Sequence, residues 1–487
     1  MKKNITFCLN LLLLFFSSIS SIIFILGVVS LVYEEFLGFT GYEQVLFHFF
    51  MLFGSDIKIT CLLIISFLIV LLALIIMLFV IKKPQVWSKK HYPRIHELCV
   101  SHRYLTSFIT SAFCLLSGLF FLDGYNLSLF TDIYYHSLKG NTYETHFIDA
   151  NNVDFKTKNT KNVIVILAES MEQSFSDKTI FKENLLFPLT ESKGKSVLGY
   201  QNVNGTEWTF ASELSLLCGI PFKYSEYYWK DVKNGKVFPK TLCLPQILKK
   251  FNYNTYYLQG SSSDFVYTDL LLKQHSLDNY EDISNAGTSG NMYTDKLIGY
   301  ILPDSEIFSK FKIKIRQLSE QDRPFFAIMV TMNTHFPKGY TEITCSKKYN
   351  DMRDAVKCSS QQLSDFVKWV QEQNFNYDTS LVILGDHLMM PSNIQNMINK
   401  VPHRKTINYI WSKNVKSNIR KDFSQFDWMP TLLELSGITW NSHRLGLGTS
   451  LLSDDKTLAQ IYKEDLNKKL LYKSDLYNTF FESYDKK

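Results

Sequence analysis

The chain has 487 residues, enough for one large domain and a further segment, and 15% of them are aromatic, a high share for a soluble protein. Lysine and arginine total 52 against 46 acidic residues, a net charge of +6 that is spread along the chain apart from residues 82–104 and a lysine-rich tail. There is no basic stripe interleaved with aromatics, so nucleic acid is not an expected partner.

The amino end explains the aromatic and apolar excess. Residues 9–33 and 59–81 carry no charge and reach the roughly 20 residues needed to cross a bilayer, and 105–123 is a weaker third stretch whose last residue alone is charged. The first run is about twice as long as the apolar core of a signal peptide and no small-residue cleavage site follows it, so an anchor is the expected reading. Between the second and third segments lie Lys82, Lys83, Lys89, Lys90, Arg94 and Arg103 against Glu97, while the loop near 34–58 is mildly acidic. The positive-inside rule then makes 82–104 and the amino terminus cytoplasmic and everything after 124 extracytoplasmic. Residues 1–124 are thus expected to form a three-helix membrane anchor, 125–160 an irregular linker along the membrane surface, and 161–487 the catalytic domain.

Cysteine usage agrees with this topology. Cys8, Cys61, Cys99 and Cys114 belong to the membrane portion, whereas the exported part keeps four: Cys218, Cys243, Cys345 and Cys358. Four cysteines allow three pairings. Local pairing, Cys218 with Cys243 and Cys345 with Cys358, closes the shortest loops and is the expected framework in an oxidising compartment.

At Asn162 the run NVIVILAES is continuous, apolar and β-rich, and it stops at Glu169, as expected of a strand buried on both faces of a parallel sheet. Similar runs recur at 253–259, 325–332, 380–384 and 406–411, with helical stretches such as 359–373 between them. This alternation predicts a doubly wound α/β sheet, in which ligands bind at the carboxyl ends of the strands. Those ends deliver Glu169-Ser170, Asn333-Thr334-His335 and Gly385-Asp386-His387. Oxygen and imidazole donors from three strands suit a divalent metal and phosphoryl chemistry. Each signal alone has an ordinary reading too: a Glu after a strand is often a helix cap, and a lone His is commonly a hydrogen-bonded loop residue.

The stretch NGTEWTFASELSLLCGIP, 204–221, predicts a helix from about Phe210 to Cys218, ended by Gly219 and Pro221, with Thr209 as its N-cap. A capping threonine bonds a backbone N–H one turn in. The same helix end favours a phosphate or a developing alkoxide, and a hydroxyl there needs a metal to become a nucleophile. Spacing leaves cap and nucleophile level. His403 and Arg404, ahead of the run at 406, are candidate phosphate contacts, and Gln259, Gly260 and Asp264 candidate lining of a headgroup or acceptor pocket, while His275, His443 and Arg444 read as structural.

VIVILAES, TEWTFASELSLLCGIP, YYLQGSSSDF, TMNTHFP, LGDHL, FDWMPTLLELSGI and RLGLGTSLL, in this order and spacing, resemble the membrane-anchored phosphoglycerol transferases of the alkaline phosphatase and sulfatase superfamily over about 160–455. The resemblance implies an alkaline phosphatase-like α/β/α sandwich, with Glu169, Thr209, Asp386 and His387 as metal ligands, Thr209 also as nucleophile and His335 as the histidine at the phosphate; Asn333, at the same strand end as His335, is a candidate substrate contact. It implies manganese, with zinc or magnesium as alternatives. It further implies a bacterial inner-membrane enzyme that moves a glycerophosphoryl group from phosphatidylglycerol to an extracytoplasmic glycan; a phosphoethanolamine transferase or a phosphodiesterase would share the core residues. The C-x-P-x-R signature of sulfatases proper is absent, since Cys243-Leu-Pro-Gln-Ile lacks the arginine. Where lipoteichoic acid synthases place a tryptophan and an arginine for the headgroup, this chain has Phe265-Val266-Tyr267-Thr268, so that pocket must be built differently.

Overall fold

The computed structural model describes residues 103–121 and 124–484, except 158, 278, 286, 288–291 and 296–298, together with scattered positions between 15 and 47. Two compact units emerge, residues 1–39 with 47–131 and residues 40–46 with 132–487. In the first, the third apolar segment forms the helix Arg103–Phe121. Among the described residues no helix is long and apolar enough to cross a membrane. The expected spans 9–33 and 59–81 lie outside the described residues, apart from a few positions of the first.

The second unit is organised around an eight-stranded sheet. In chain order its strands are β1 (Asn162–Ala168), β2 (Lys195–Tyr200), β3 (Asn254–Gln259), β4 (Tyr280–Glu281), β5 (Phe325–Val330), β6 (Thr379–Gly385), β7 (Asn408–Trp411) and β8 (Ile419–Phe423). Across the sheet the order is β8, β2, β7, β6, β1, β5, β3, β4. The five strands from β6 to β4 are parallel, β7 runs against both of its neighbours, and β2 and β8 are parallel to each other. The sheet is therefore mixed rather than wholly parallel.

Register at the centre of the sheet positions the site. Ala168 of β1 pairs with Gly385 of β6, and Leu167 with Val330 of β5, so the three strands finish on one line. Val163 to Ala168 are fully buried, as an all-apolar strand covered on both faces requires.

Helices α1 (Thr209–Cys218), α2 (Leu244–Lys250), α3 (Asp304–Ser319), α4 (Met352–Gln371) and α5 (Trp428–Leu435) supply the outer layers. Ile164 and Ile166, on one face of β1, pack in a core with Ile307, Phe311 and Ile315 of α3 and Leu363, Phe366 and Val367 of α4. Alternate residues of a strand point to opposite faces. The other layer contains α1, α2 and α5, which pack on one another, with α2 also meeting β3. Cys218, the last residue of α1, is bonded to Cys243, which caps α2, and Cys345 is bonded to Cys358 in α4.

The stretch 125–160 is not the irregular linker its sequence suggests. It contains the helices Gly124–Ser137 and Thr142–His146. Tyr143 is buried edge-on against Tyr477, with ring centroids 5.2 Å apart, and Ile148 bridges to Gly446. The first helix has apolar and polar residues on all sides and the second has only five residues, so neither shows a helical repeat against an aromatic background.

Candidate metal centre at the strand ends

The end of β6 approaches the end of β1 more closely than a side chain would allow. A Cβ on Gly385 would lie 2.2 Å from the Met171 carbonyl oxygen, so glycine is required there. This contact brings Asp386 under the turn that follows β1. Asp386 Oδ1 accepts the backbone N–H groups of Ser170 and His387, each at 2.8 Å. Ser170 has a φ of +53°, the left-handed region that non-glycine residues rarely enter, and this conformation aims its N–H at the aspartate. With Oδ1 occupied, Oδ2 is the oxygen that faces the other site residues.

Glu169 is fixed as firmly. Its N–H donates to Thr331 Oγ1 at 3.0 Å, its carbonyl accepts from Thr334 Oγ1 at 2.5 Å, and its Oε1 accepts from Ser170 Oγ at 2.6 Å. His387 directs Nδ1 at the Leu388 carbonyl, 2.8 Å away, which turns Nε2 toward the carboxylates. That nitrogen stands 3.3 Å from Asp386 Oδ2 and 3.6 Å from Glu169 Oε1.

Thr209 completes the group. The helix begins at Thr209 itself, not at Phe210, and its N-cap is Trp208, with no side-chain capping bond. The expected N-cap role of Thr209 is therefore replaced: its hydroxyl is turned to the carboxylates, 3.2 Å from Asp386 Oδ2 and 3.4 Å from Glu169 Oε2. Ser212, one turn on, donates to the Asp386 carbonyl at 2.7 Å and accepts from Gln425 Nε2 at 2.7 Å, which holds α1 against the aspartate.

The electrostatics suit a cation. Burial first, and the nearby Asp386 second, push the Glu169 carboxyl up to about 8, with His335 acting the other way. One donor atom each from Glu169, Asp386 and His387, all buried, lie within 4.8 Å of one another. Buried carboxyl and imidazole groups that face one another are relieved either by a proton or by a cation between them. The residues fit a divalent metal, and mixed oxygen and nitrogen donors suit manganese, zinc or magnesium alike.

The remaining candidates divide sharply. His335 follows β5 in the chain, with Nδ1 3.0 Å from the Phe336 carbonyl, and it opposes the upward push on Glu169. Asn333 is buried in a network behind the strand end: Nδ2 donates to Glu342 at 2.7 Å and Oδ1 accepts the Asp304 N–H at 3.3 Å. Gln259 is likewise engaged, accepting from Tyr257 Oη at 2.6 Å and donating to the Ser261 carbonyl at 3.2 Å. Asp264 and His403 are exposed on turns. Arg404 is drawn inward to Glu172 and the Met389 carbonyl rather than outward to a phosphate. Gly260 leaves no space for a side chain, since a Cβ there would meet Ile307 Cδ1 at 2.4 Å. His275, between Gln246 and the Val237 carbonyl, and Arg444, on the His146 carbonyl, are structural. His443 pairs with Glu434. Sequence reasoning missed Glu172, Glu213 and Ser212, all buried close to the site; an acid two residues past Ser170 was the one visible signal for the first.

A mixed α/β/α sandwich with buried carboxylate, imidazole and hydroxyl groups converging at its strand ends defines an alkaline phosphatase-like protein with a candidate divalent-metal centre. The sulfatase family profile matches residues 161–438, more than half of the chain, and the chain belongs to that family. Phosphoglycerol transferase I of Escherichia coli (strain 536) is 26% identical over 329 residues, covering 65% of this chain and 42% of the relative, so the match spans less than half of that protein's length. Among solved structures, the lipoteichoic acid synthase LtaP of Listeria monocytogenes superposes with a TM-score of 0.51 at 16% identity, over 68% of this chain and 93% of its own. That likeness shows the fold.

Proposed function

We propose that the protein is a metal-dependent phosphoglycerol transferase, anchored through residues 1–124 in a bacterial inner membrane with residues 161–487 outside the cytoplasm. It moves a glycerophosphoryl group from phosphatidylglycerol to an extracytoplasmic glycan and releases diacylglycerol. The observation that carries the reading is the Thr209 hydroxyl, which makes no cap and lies within 3.4 Å of two buried carboxylates. The name of the 26% identical relative supports the headgroup.

Glu169, Asp386, His387 and Thr209 would hold the cation, most simply Mn2+, with Zn2+ and Mg2+ as alternatives. Bound there, it would acidify the Thr209 hydroxyl and offset charge on the transferring group. The Thr209 oxygen attacks phosphorus in line with the diacylglycerol oxygen, so one O–P bond forms as the other breaks. His335, as imidazolium, gives its proton to the departing oxygen. As a neutral base it then takes the proton of a sugar hydroxyl that attacks the glycerophosphoryl-threonine; the Thr209 O–P bond breaks as the sugar O–P bond forms, and the Thr209 oxygen leaves unprotonated while His335 is again imidazolium for the next cycle. Asp386 and Glu169 stay oriented throughout by the hydrogen bonds that Ser170, His387 and Thr334 donate and by the one that Glu169 N–H donates to Thr331.

The test follows diacylglycerol release by the detergent-solubilised full chain from phosphatidylglycerol or phosphatidylethanolamine, with and without a periplasmic glycan. Sustained release from phosphatidylglycerol that requires the glycan is expected. Preference for phosphatidylethanolamine would make the protein a phosphoethanolamine transferase, and release independent of glycan would make it a phosphodiesterase.

A further inference from the structure

The turn carrying Asp386 and His387 is gripped from behind by two charged side chains whose role the metal centre leaves unexplained. Glu172 leaves the β1 turn fully buried, and its Oε1 accepts the Met389 N–H at 2.9 Å. Arg404 reaches the same place from the chain entering β7. Its Nε lies 3.2 Å from each Glu172 oxygen, and its Nη2 bonds both Glu172 Oε1 and, at 2.5 Å, the Met389 carbonyl. Glu172 and Arg404 thus hold the N–H and the C=O of a single residue, two positions after His387. The two segments are also joined by backbone, Gln173 N–H to the Lys405 carbonyl at 2.8 Å and Ile407 N–H to the Met171 carbonyl at 3.0 Å.

His387 takes its ring orientation from the Leu388 carbonyl, inside the same turn. A buried ion pair of this kind adds little net stability, but removing one partner strands the other charge and releases whatever the pair holds. We infer that Glu172 and Arg404 are positioning residues that fix the His387 turn, so that loss of either weakens divalent-cation binding, and that Arg404 is not a phosphate contact. The inference rests on the metal reading of the site and not on the transferase reading.

The test is calorimetric titration of Mn2+ into the metal-free full-length protein in detergent, without lipid, for wild type, Arg404→Gln, Glu172→Gln and Arg404→Lys. Loss of a residue that orients a metal ligand costs about 10–100-fold in affinity, and the two glutamine variants should fall in that range. Arg404→Lys keeps the charge but not the two-pronged grip, so it should fold and lie between them and wild type. Wild-type affinity in Arg404→Gln, or in Arg404→Lys should the former not fold, would overturn the inference, the more clearly if KM for phosphatidylglycerol rose instead. Failure of the wild type to take up Mn2+ would overturn it together with the metal centre. Uptake without glycerophosphoryl transfer would sink the transferase reading alone.

Discussion

Asp386 shows how a short side chain can be committed at both oxygens. Two backbone N–H groups take Oδ1, and Oδ2 is left for Thr209 and His387. Ser212 sets the distance between α1 and that aspartate, so Ser212→Ala should cost about 1–3 kcal/mol by stranding the Gln425 amide and the Asp386 carbonyl, read as a fall in the urea midpoint. His335 has a different position: it is held by its own neighbour's carbonyl and is not among the atoms converging on the cation site. His335→Gln should therefore lower kcat about 10²–10⁴-fold, the usual range for a lost acid–base group, while Mn2+ affinity measured by calorimetry stays at the wild-type value. The residue types of the centre could be read from the strand ends, but not the direction of Thr209, because one residue's shift in the helix start decides whether its hydroxyl caps or faces the carboxylates.

At the scale of elements, α1 is held at both ends, by Ser212 and Thr209 at the site and by the Cys218–Cys243 bond at its far end. That bond closes a sequence separation of 25 residues and the Cys345–Cys358 bond one of 13. Loops of this size correspond to roughly 3 kcal/mol each on a chain-entropy estimate. Replacing Cys218 and Cys243 together by serine should lower the thermal midpoint, and transfer by the folded fraction should fall further than when Cys345 and Cys358 are replaced, since only the first pair is attached to the helix that bears Thr209. β1, β3, β5, β6 and β7 were legible as apolar runs. β8, IRKDF, has three consecutive charged residues between its two apolar ends and β4 has two residues, so neither rises above its surroundings, and β2 is broken by Gly199. The reversed direction of β7 was not legible at all: an apolar run at 406–411 reads the same in a parallel or an antiparallel position, and only its pairing with β2 and β6 decides.

The second unit as a whole buries further acids besides Glu169 and Asp386. Burial, opposed by the Gly205 N–H, pushes Glu207 up to about 8, and burial pushes Glu213 to about 8 against its bond with Tyr257. The Tyr257 hydroxyl has one proton to share between two acceptors, Glu213 Oε1 and Gln259 Oε1. An acid with a raised folded pKa binds its proton more tightly folded than unfolded. Its stabilising contribution is complete below the ordinary carboxylate range and is lost as pH rises through about 8. Burial lowers His275 to about 4, and its opposite effect is over by about 6.5, its ordinary value. The metal-free protein should therefore lose thermal stability between about pH 6.5 and 8, and Glu213→Gln, which keeps a neutral hydrogen-bonding group, should flatten that slope; an unchanged slope would show Glu213 to be ionised throughout.

The central arrangement is a threonine oxygen held 3.2 and 3.4 Å from two buried carboxylates at the end of a sheet. The measurement that tests it most directly is the mass of the Thr209 peptide after the full-length protein, in detergent with Mn2+, is mixed with phosphatidylglycerol in the absence of glycan, quenched in acid and digested. A glycerophosphoryl group on Thr209 is expected, with none in Thr209→Ala, whose fold should persist. Release of diacylglycerol with the Thr209 peptide unmodified, or with the group on another residue, would contradict the account.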